Sequence, residues 1–311
     1  MAETTNPSPP TPSHPRRRLL RVFLSFLLAL AATAIIAGSL RFPAPPAAGG
    51  GIMPYNLPTA AVVPSTSARA TVATYNIHSG VGTDGKFDLN RTAAELKSYG
   101  LVGLNEVRGR TPFSRTDQAE ILGHSVNLPW LFAPSERQWG MDAFGNAVLS
   151  CFPIRFWQRI PLPGDSRRNV LLLRVSMSDP DTNILITHID RGADREPQLR
   201  AVIELFLSLS EPAILMGDMN TPASDPLLQR LRSTSGVDDP LTRLMGDKLP
   251  STNIDWIFLR GLRAVDAGLK DSPASDHPIA WAKLWDLANP PPKAPMNRSP
   301  PSSRPTPAIG D

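Results

Sequence analysis

The pattern of apolar and polar residues predicts short strands and helices between about residues 70 and 287. The strongest strand signal is Ala213–Met216, where an apolar run leads directly into Gly217, Asp218 and Asn220. Strands are predicted at 70–77, 101–107, 145–151, 156–160, 169–177, 183–189, 213–216, 254–259 and 278–285, and helices at 91–99, 116–126, 197–209 and 225–232. Because several strands follow one another without an intervening helix, the pattern favours a mixed α/β sandwich over a doubly wound parallel sheet.

The N-terminal region carries a second apolar pattern. Val22–Leu40 contains no charged residue and follows a cluster of arginines. Its length is close to the roughly 20 residues that span a bilayer, so a single transmembrane helix or signal anchor is predicted at 19–40. A cleaved signal peptide is the alternative, although its usual apolar core of about 7–15 residues is shorter. The arginines predict a cytoplasmic N-terminus, which places the domain outside the cytoplasm, either anchored or exported after signal cleavage.

The proline distribution sets the domain boundaries. The chain has 34 prolines, and they cluster near both ends. Residues 1–18 are therefore predicted to be a disordered N-terminus, 41–68 a Pro/Ala/Gly-rich linker and 289–311 a disordered tail. The folded domain is predicted at 69–288.

Composition adds only weak constraints on function. The net charge of +4 comes partly from the N-terminal arginines, so it is weak evidence for nucleic-acid binding. The chain has one cysteine, Cys151, which excludes an intramolecular disulfide. A monomer is expected.

Polar side chains recur where the predicted strands end or begin. Acids, amides and histidines that lie close to six strand ends are expected to form one convergent site. These residues are Asn76, Asn105, Glu106, His188, Asp190, Asp218, Asn220, Asp255, Asp276 and His277. His78 is close to Asn76 and is interpreted as a local residue.

The types of these residues indicate a hard-cation site. Glu106, Asp276 and Asn76 offer oxygen donors, which suit Mg²⁺ or Mn²⁺. The sequence has neither a cysteine cluster nor a closely spaced histidine pair, so zinc is disfavoured. Two histidines and several carboxylates around such a cation suit phosphate-ester hydrolysis.

The ordered set of polar stretches over about 70–287 resembles the endonuclease/exonuclease/phosphatase superfamily. The resemblance implies a four-layer α/β/β/α sandwich of two mixed sheets, with the site at one end of the sheets. It also implies that Glu106 is the main metal-binding carboxylate, Asp276 a second metal-side carboxylate and Asn76 an amide bordering the metal. Asn105 stands where many members carry glutamine, a difference expected to change little.

The same resemblance implies the catalytic roles. Asp218 would orient or deprotonate the attacking water, with the Asn220 amide beside it. His188 and His277 would contact phosphoryl oxygens, and Asp255 would orient His277. Arg195, at the start of a helix, either faces the substrate or solvates that helix.

The expected function is a membrane-anchored, metal-dependent phosphoesterase that hydrolyses a phosphodiester in a lipid head group or a nucleic acid. One alternative is a secreted or anchored endonuclease acting on extracellular DNA or RNA. Another is an inactive binding module on the same fold. The chain has no tyrosine after Tyr99, which disfavours the abasic-site endonucleases of the superfamily.

Overall fold

The computed structural model describes residues 15–50, 71–110, 116–138 and 141–285. The predicted disordered tail, most of the predicted linker and residues 1–14 lie outside these ranges. The helices are α1 (Pro15–Ser39), α2 (Leu89–Leu96), α3 (Gln118–Val126), α4 (Arg195–Ser208), α5 (Pro226–Ser233) and α6 (Pro240–Met245). The strands are β1 (Arg41–Pro43), β2 (Ala47–Gly50), β3 (Thr71–Asn76), β4 (Leu101–Arg108), β5 (Trp130–Gln138), β6 (Met141–Ser150), β7 (Ile154–Pro161), β8 (Asn169–Val175), β9 (Thr182–His188), β10 (Ala213–Asp218), β11 (Val237–Asp238), β12 (Asp255–Arg260), β13 (Ala264–Lys270) and β14 (Ile279–Leu284).

The described strands form two mixed sheets of seven strands each. Their orders are β1-β5-β6-β4-β3-β14-β13 and β11-β12-β10-β9-β8-β7-β2. Alternate residues of a strand point to opposite faces of a sheet, and in β3 Val72 belongs to the core between the sheets while Tyr75 belongs to the core under α2 and α3. Helices α4 and α5 cover the second sheet, contributing Phe206 and Leu228 to its core. The predicted four-layer α/β/β/α sandwich is confirmed.

Residues 41–50 differ from the prediction, because they form strands and not a linker. β1 pairs with β5 and β2 pairs with β7, both antiparallel, so this segment adds an edge strand to each sheet. Ala44, between the two strands, is buried and donates its backbone N–H to the carbonyl of Ser135 at 2.9 Å. Edge pairing uses backbone hydrogen bonds and needs few large apolar side chains, so the composition of the segment did not indicate it.

Helix α1 begins at Pro15, four residues before the predicted start of the apolar helix. Within the described residues, it is the one helix that is long and apolar enough to cross a membrane, over Leu19–Ile36. A signal sequence near the N-terminus can satisfy the same criteria of length and composition. The helix therefore agrees with both interpretations of the sequence.

The edge pairing of residues 41–50 predicts slow amide exchange in this segment. Hydrogen exchange of the full-length protein, followed by mass spectrometry, should show peptides within 41–50 protected by about 10²-fold or more relative to the unfolded chain. Exchange at the unstructured rate would contradict the pairing and restore the linker interpretation.

Candidate active site

The polar strand ends meet at one end of the two sheets. β3 and β4 are parallel neighbours in the first sheet, and β9 and β10 are parallel neighbours in the second, so each pair presents its carboxyl ends at one edge. Asp255 begins β12 directly opposite Asp218 in the β10–β12 register. The segment before β14 is fixed by Ser275, whose hydroxyl donates to the carbonyl of Asn76 at 2.7 Å. This bond brings His277 to the end of β3.

Asn105 joins the two sheets beneath the site. Its amide nitrogen donates to the Thr187 carbonyl at 3.0 Å and to Oδ1 of Asn146 at 2.8 Å. Its Oδ1 accepts the backbone N–H of Asp218 at 3.0 Å. The residue is fully buried and holds the ends of β4, β9 and β10 together. The sequence placed Asn105 among the polar strand ends and noted its departure from glutamine, but it did not predict this role.

Asp218 is the buried centre of the site. Its Oδ2 accepts the amide nitrogen of Asn76 at 3.0 Å, and its Oδ1 accepts the backbone N–H of Asn220 at 2.9 Å. Burial raises the pKa of Asp218 above its ordinary range, while the positive charge of His277 and these hydrogen bonds act in the opposite direction. The carboxylate is thus more basic than a solvated aspartate and is held by two hydrogen bonds.

His277 is held as a cation. Its Nδ1 lies 2.8 Å from Oδ2 of Asp255, and its Nε2 lies 3.8 Å from Oδ2 of Asp218. Burial alone would lower the pKa of His277, but the hydrogen bond and charge of Asp255 raise it to about 9. Burial also raises the pKa of Asp255, to about 6. Because the imidazole is the more basic partner, the shared proton resides on the ring.

His188 is held in the opposite state. Nη1 of Arg168 donates to its Nδ1 at 3.0 Å, and a guanidinium has no acceptor, so that ring nitrogen carries no proton. Burial, followed by the charge of Arg168, lowers the pKa of His188 well below 6.5. The neutral ring therefore carries its proton on Nε2, 3.4 Å from Oδ2 of Asp218. Arg168 lies just before an apolar strand, where a surface arginine is common, so the sequence did not predict its contact with His188.

Glu106 lies on the open side of the site. It occupies a bulge in β4 with a φ of +57° and faces the amide nitrogen of Asn76 at 3.2 Å. The Asn76 oxygen accepts the backbone N–H of His78 at 3.0 Å, which fixes the amide orientation. The Asn76 nitrogen thus faces the carboxylates of both Glu106 and Asp218, so this amide fixes the position of the two acids relative to each other.

The carboxylates of Glu106 and Asp276 fit a hard divalent cation. Asp276 is half-exposed and has its Oδ1 3.5 Å from Nδ1 of His78. Asp218, Asp255 and His277 also place one potential ligand atom each within 4.8 Å of one another. Within that group, Asp255 and Nδ1 of His277 are already paired with each other at 2.8 Å, so the carboxylates of Glu106 and Asp276 are the better fit.

Arg195 does not take the position expected for a substrate-binding residue. Its Nη1 pairs with Asp225 at 2.8 Å and contacts the Thr221 hydroxyl at 3.2 Å, so it ties the start of α4 to the cap of α5. Arg191 lies closer to the site, and its Nε donates to Oδ1 of Asn220 at 3.2 Å. The nitrogen of the Asn220 amide donates to the Ile189 carbonyl at 2.8 Å.

A polar cleft of about 360 Å³ opens beside Glu106. Its walls carry four arginines and three acids together with Phe144 and Ser166. The charged residues are Arg41, Glu106, Arg108, Glu136, Arg167, Arg168 and Asp190. Two of its lining residues contact the buried polar cluster, Glu106 through Asn76 and Arg168 through His188, and its arginines suit an anionic ligand.

Residues 73–277 match the model of the Endonuclease/Exonuclease/phosphatase family. The chain belongs to this family. No curated protein matches the sequence. An endonuclease/exonuclease/phosphatase structure from Beutenbergia cavernae DSM 12333 is 25% identical, with a TM-score of 0.57 over 71% of this chain and 72% of that chain.

More distant family structures share the fold. The D. rerio TDP2 complex with a single strand DNA product is 19% identical, with a TM-score of 0.53 over 70% of this chain and 98% of that chain. The mannosyl-6-phosphatase Bt3783 of Bacteroides thetaiotaomicron VPI-5482 is 14% identical, with a TM-score of 0.52 over 70% of this chain and 99% of that chain. Since their names point to different substrates, the fold of an endonuclease/exonuclease/phosphatase member does not select one.

The inter-sheet role of Asn105 predicts a large loss of stability in Asn105→Ala. The change leaves the buried Asp218 N–H and Thr187 carbonyl without their partner, at about 1–3 kcal/mol each in the free energy of unfolding. Urea unfolding measures the loss. Asn183→Ala is the matched control, because Asn183 also donates to a carbonyl, that of Ser210 at 2.9 Å, but at an exposed site. Equal effects of the two changes would contradict the role.

The Asp255–His277 pair predicts a change in ring titration. In Asp255→Asn, the bond and charge that raise the pKa of His277 to about 9 are removed, so its pKa should fall toward 6.5. NMR of ¹³Cε1-labelled histidines measures both rings, and His188 should remain neutral in wild type and variant from pH 6 to 9. A His277 pKa that stays near 9 in the variant would exclude Asp255 as its cause.

Proposed function

We propose that this protein is a membrane-anchored, divalent-metal-dependent phosphodiesterase that uses in-line attack by water. One observation carries the proposal: a cationic imidazole and a neutral N–H imidazole both point at one oxygen of the buried Asp218 carboxylate, at 3.8 and 3.4 Å. Such an arrangement provides a base and two hydrogen-bond donors within reach of one tetrahedral group.

Each residue then has a defined task. Asp218 accepts the proton of the attacking water, helped by the burial that raises its pKa. Nε2 of His277 and Nε2 of His188 donate to non-bridging phosphoryl oxygens as negative charge develops on them. Asn76 and Asn220 hold the Asp218 carboxylate in place.

Glu106 and Asp276 would hold Mg²⁺ or Mn²⁺ on the open side of the site. When bound, the ion supplies positive charge that neutralises the phosphate. Asn76 supports this arrangement, because it donates to both Glu106 and Asp218. It thereby fixes the proposed metal-binding carboxylate relative to the proposed general base.

The N-terminal helix supports an anchor. Arginines precede the apolar span Leu19–Ile36, so we infer a cytoplasmic N-terminus with the catalytic domain outside the cytoplasm. The substrate is then a phosphodiester of a lipid head group or of extracellular nucleic acid. The arginine-rich cleft supports an anchored or secreted endonuclease as the second candidate, since it also suits a polyanion.

The catalytic assignment predicts large losses of turnover in two variants. In the full-length protein in detergent, Asp218→Asn and His277→Ala should each lower hydrolysis of bis-p-nitrophenyl phosphate by about 10²-fold or more. Activity should require Mg²⁺ or Mn²⁺ and disappear with EDTA. His124→Ala is the matched control, because His124 is an exposed residue of α3 that contacts Trp130.

Two results would contradict the proposal. Near-wild-type activity in both variants would remove Asp218 and His277 from the mechanism. A folded wild-type protein that binds Mn²⁺ but cleaves none of bis-p-nitrophenyl phosphate, plasmid DNA, sphingomyelin or phosphoinositide vesicles would favour the inactive binding module.

A further inference from the structure

The segment that follows the apolar helix forms part of the catalytic cleft. α1 ends at Ser39 and β1 begins at Arg41, so their Cα atoms are at most about 7.6 Å apart, two Cα–Cα steps. The cleft wall is thus within two residues of the helix.

Residues 41–50 are held firmly against the domain. β1 pairs with β5, β2 pairs with β7, and Nε of Arg159 donates to the Pro45 carbonyl between them at 2.8 Å. Nη1 of Arg41 pairs with Oε2 of Glu136 at 2.7 Å, and both side chains line the cleft beside Glu106. Arg41 is therefore a fixed part of the wall.

The acids of the cleft leave its outer arginines without full compensation. Four arginines line the cleft against three acids, of which Glu136 pairs with Nη1 of Arg41, Asp190 accepts the Gly192 N–H at 2.8 Å, and Glu106 faces the proposed metal side. Arg168 is engaged with His188.

Arg108 lies over the Phe144 ring at 5.0 Å, and its Nε donates to the neutral Ser79 hydroxyl. Burial and the nearby charge of Arg41 lower the pKa of Arg108, which reflects cations crowded in a partly desolvated space. A bound anion would relieve that crowding.

We propose that Arg41, with Arg108 and Arg167, forms an anion subsite that takes a second phosphate group of the substrate. The preferred substrate is then a phosphodiester that carries a further phosphate, and Arg41 is a specificity-determining residue. This inference rests on the proposed function, because the scissile phosphate is taken to bind between Asp218, His188 and His277. The short connection from α1 to Arg41 favours a phosphorylated lipid head group as the source of both phosphates.

A matched pair of chromogenic substrates tests the subsite. The p-nitrophenyl ester of thymidine 5′-phosphate carries one phosphate, and the same ester with a 3′-phosphate carries two. Full-length wild-type protein should prefer the doubly phosphorylated ester in kcat/KM, and Arg41→Gln should reduce that preference about tenfold. Because the measured quantity is the ratio of kcat/KM for the two esters, a general loss of activity cancels. Arg200→Gln, which breaks a 2.8 Å ion pair with Glu196 on the surface of α4, should leave the ratio unchanged.

Glu136→Gln separates a binding role for Arg41 from a structural one. If the Arg41–Glu136 pair only holds β1 in place, both substitutions break the same contact and change the ratio in the same direction. If Arg41 binds phosphate, Glu136→Gln removes a competing negative charge from the cleft and should raise the ratio, while Arg41→Gln lowers it. A change of the ratio in the same direction in both variants would overturn the proposal.

A binding measurement keeps the subsite distinct from catalysis. Calorimetry in EDTA should show thymidine 3′,5′-bisphosphate binding more tightly than thymidine 5′-phosphate, with the difference reduced about tenfold in Arg41→Gln. If wild type cleaves neither ester, the proposed function fails and this titration alone decides the subsite. An affinity difference between the two nucleotides that is the same in wild type and Arg41→Gln would overturn the proposed subsite.

The source of the second phosphate is decided with natural substrates. An Arg41-dependent cleavage of phosphatidylinositol 4-phosphate in phosphatidylcholine vesicles would support the lipid source. The same dependence on a single-stranded oligonucleotide alone would support the subsite but overturn the lipid source.

Discussion

The burial of the Asp218 carboxylate is the constraint on which the site depends. A carboxylate without solvent is costly unless hydrogen bonds and charges compensate it. Here the compensation comes from the ends of separate elements, through Asn76, Asn220 and His277. The two sheets must therefore be held in one relative position for Asp218 to remain charged. The stability of the fold and the proposed catalytic chemistry both depend on that position.

The close packing of β9 and β10 meets that requirement. Gly217 has a φ of +145°, and a Cβ atom there would lie 1.9 Å from the Thr187 carbonyl oxygen. Any side chain would push the strands apart where Asn105 joins both to β4. Gly217 follows the apolar run of β10 because the backbone of β9 lies too close there for any side chain. The close contact between the two strands, and not a bend of the chain, explains this glycine.

The two histidines show how environment gives one residue type two tasks. Both point at the same oxygen of Asp218, yet burial and the charge of Arg168 keep His188 neutral, while Asp255 keeps His277 charged. The second charge would be difficult to accommodate, because a cation at His188 would lie beside both Arg168 and His277. With His188 neutral, the charges of Arg168 and His277 offset those of Asp218 and Asp255, and the centre retains two N–H donors.

Much of this arrangement was predictable because polar residues at the ends of apolar strands are rarely explained by packing. Glu106, Asp218 and His277 were identified in that way. The role of Arg168 was not, since its partner lies in a different part of the chain and contact across a sheet has no local sequence signal. For Arg195 the sequence left two interpretations open, and in the structure its side chain pairs with Asp225 at the cap of a neighbouring helix.

Strands β1 and β2 were also not predicted, because their pairing partners are distant in sequence. These two strands shorten the connection between helix α1 and the cleft. A flexible linker of the predicted length, residues 41–68, would separate its ends by about 30 Å on average. The observed pairing replaces the beginning of that tether with a strand fixed to each sheet, and Arg41 lies two residues from the end of α1. In an anchored protein, the cleft would then remain near the bilayer surface in a restricted orientation. The distance of the cleft from the bilayer and its preference for an anionic substrate would thus depend on the same strand. β1 limits how far the domain can move from α1, and its Arg41 supplies a cation to the cleft.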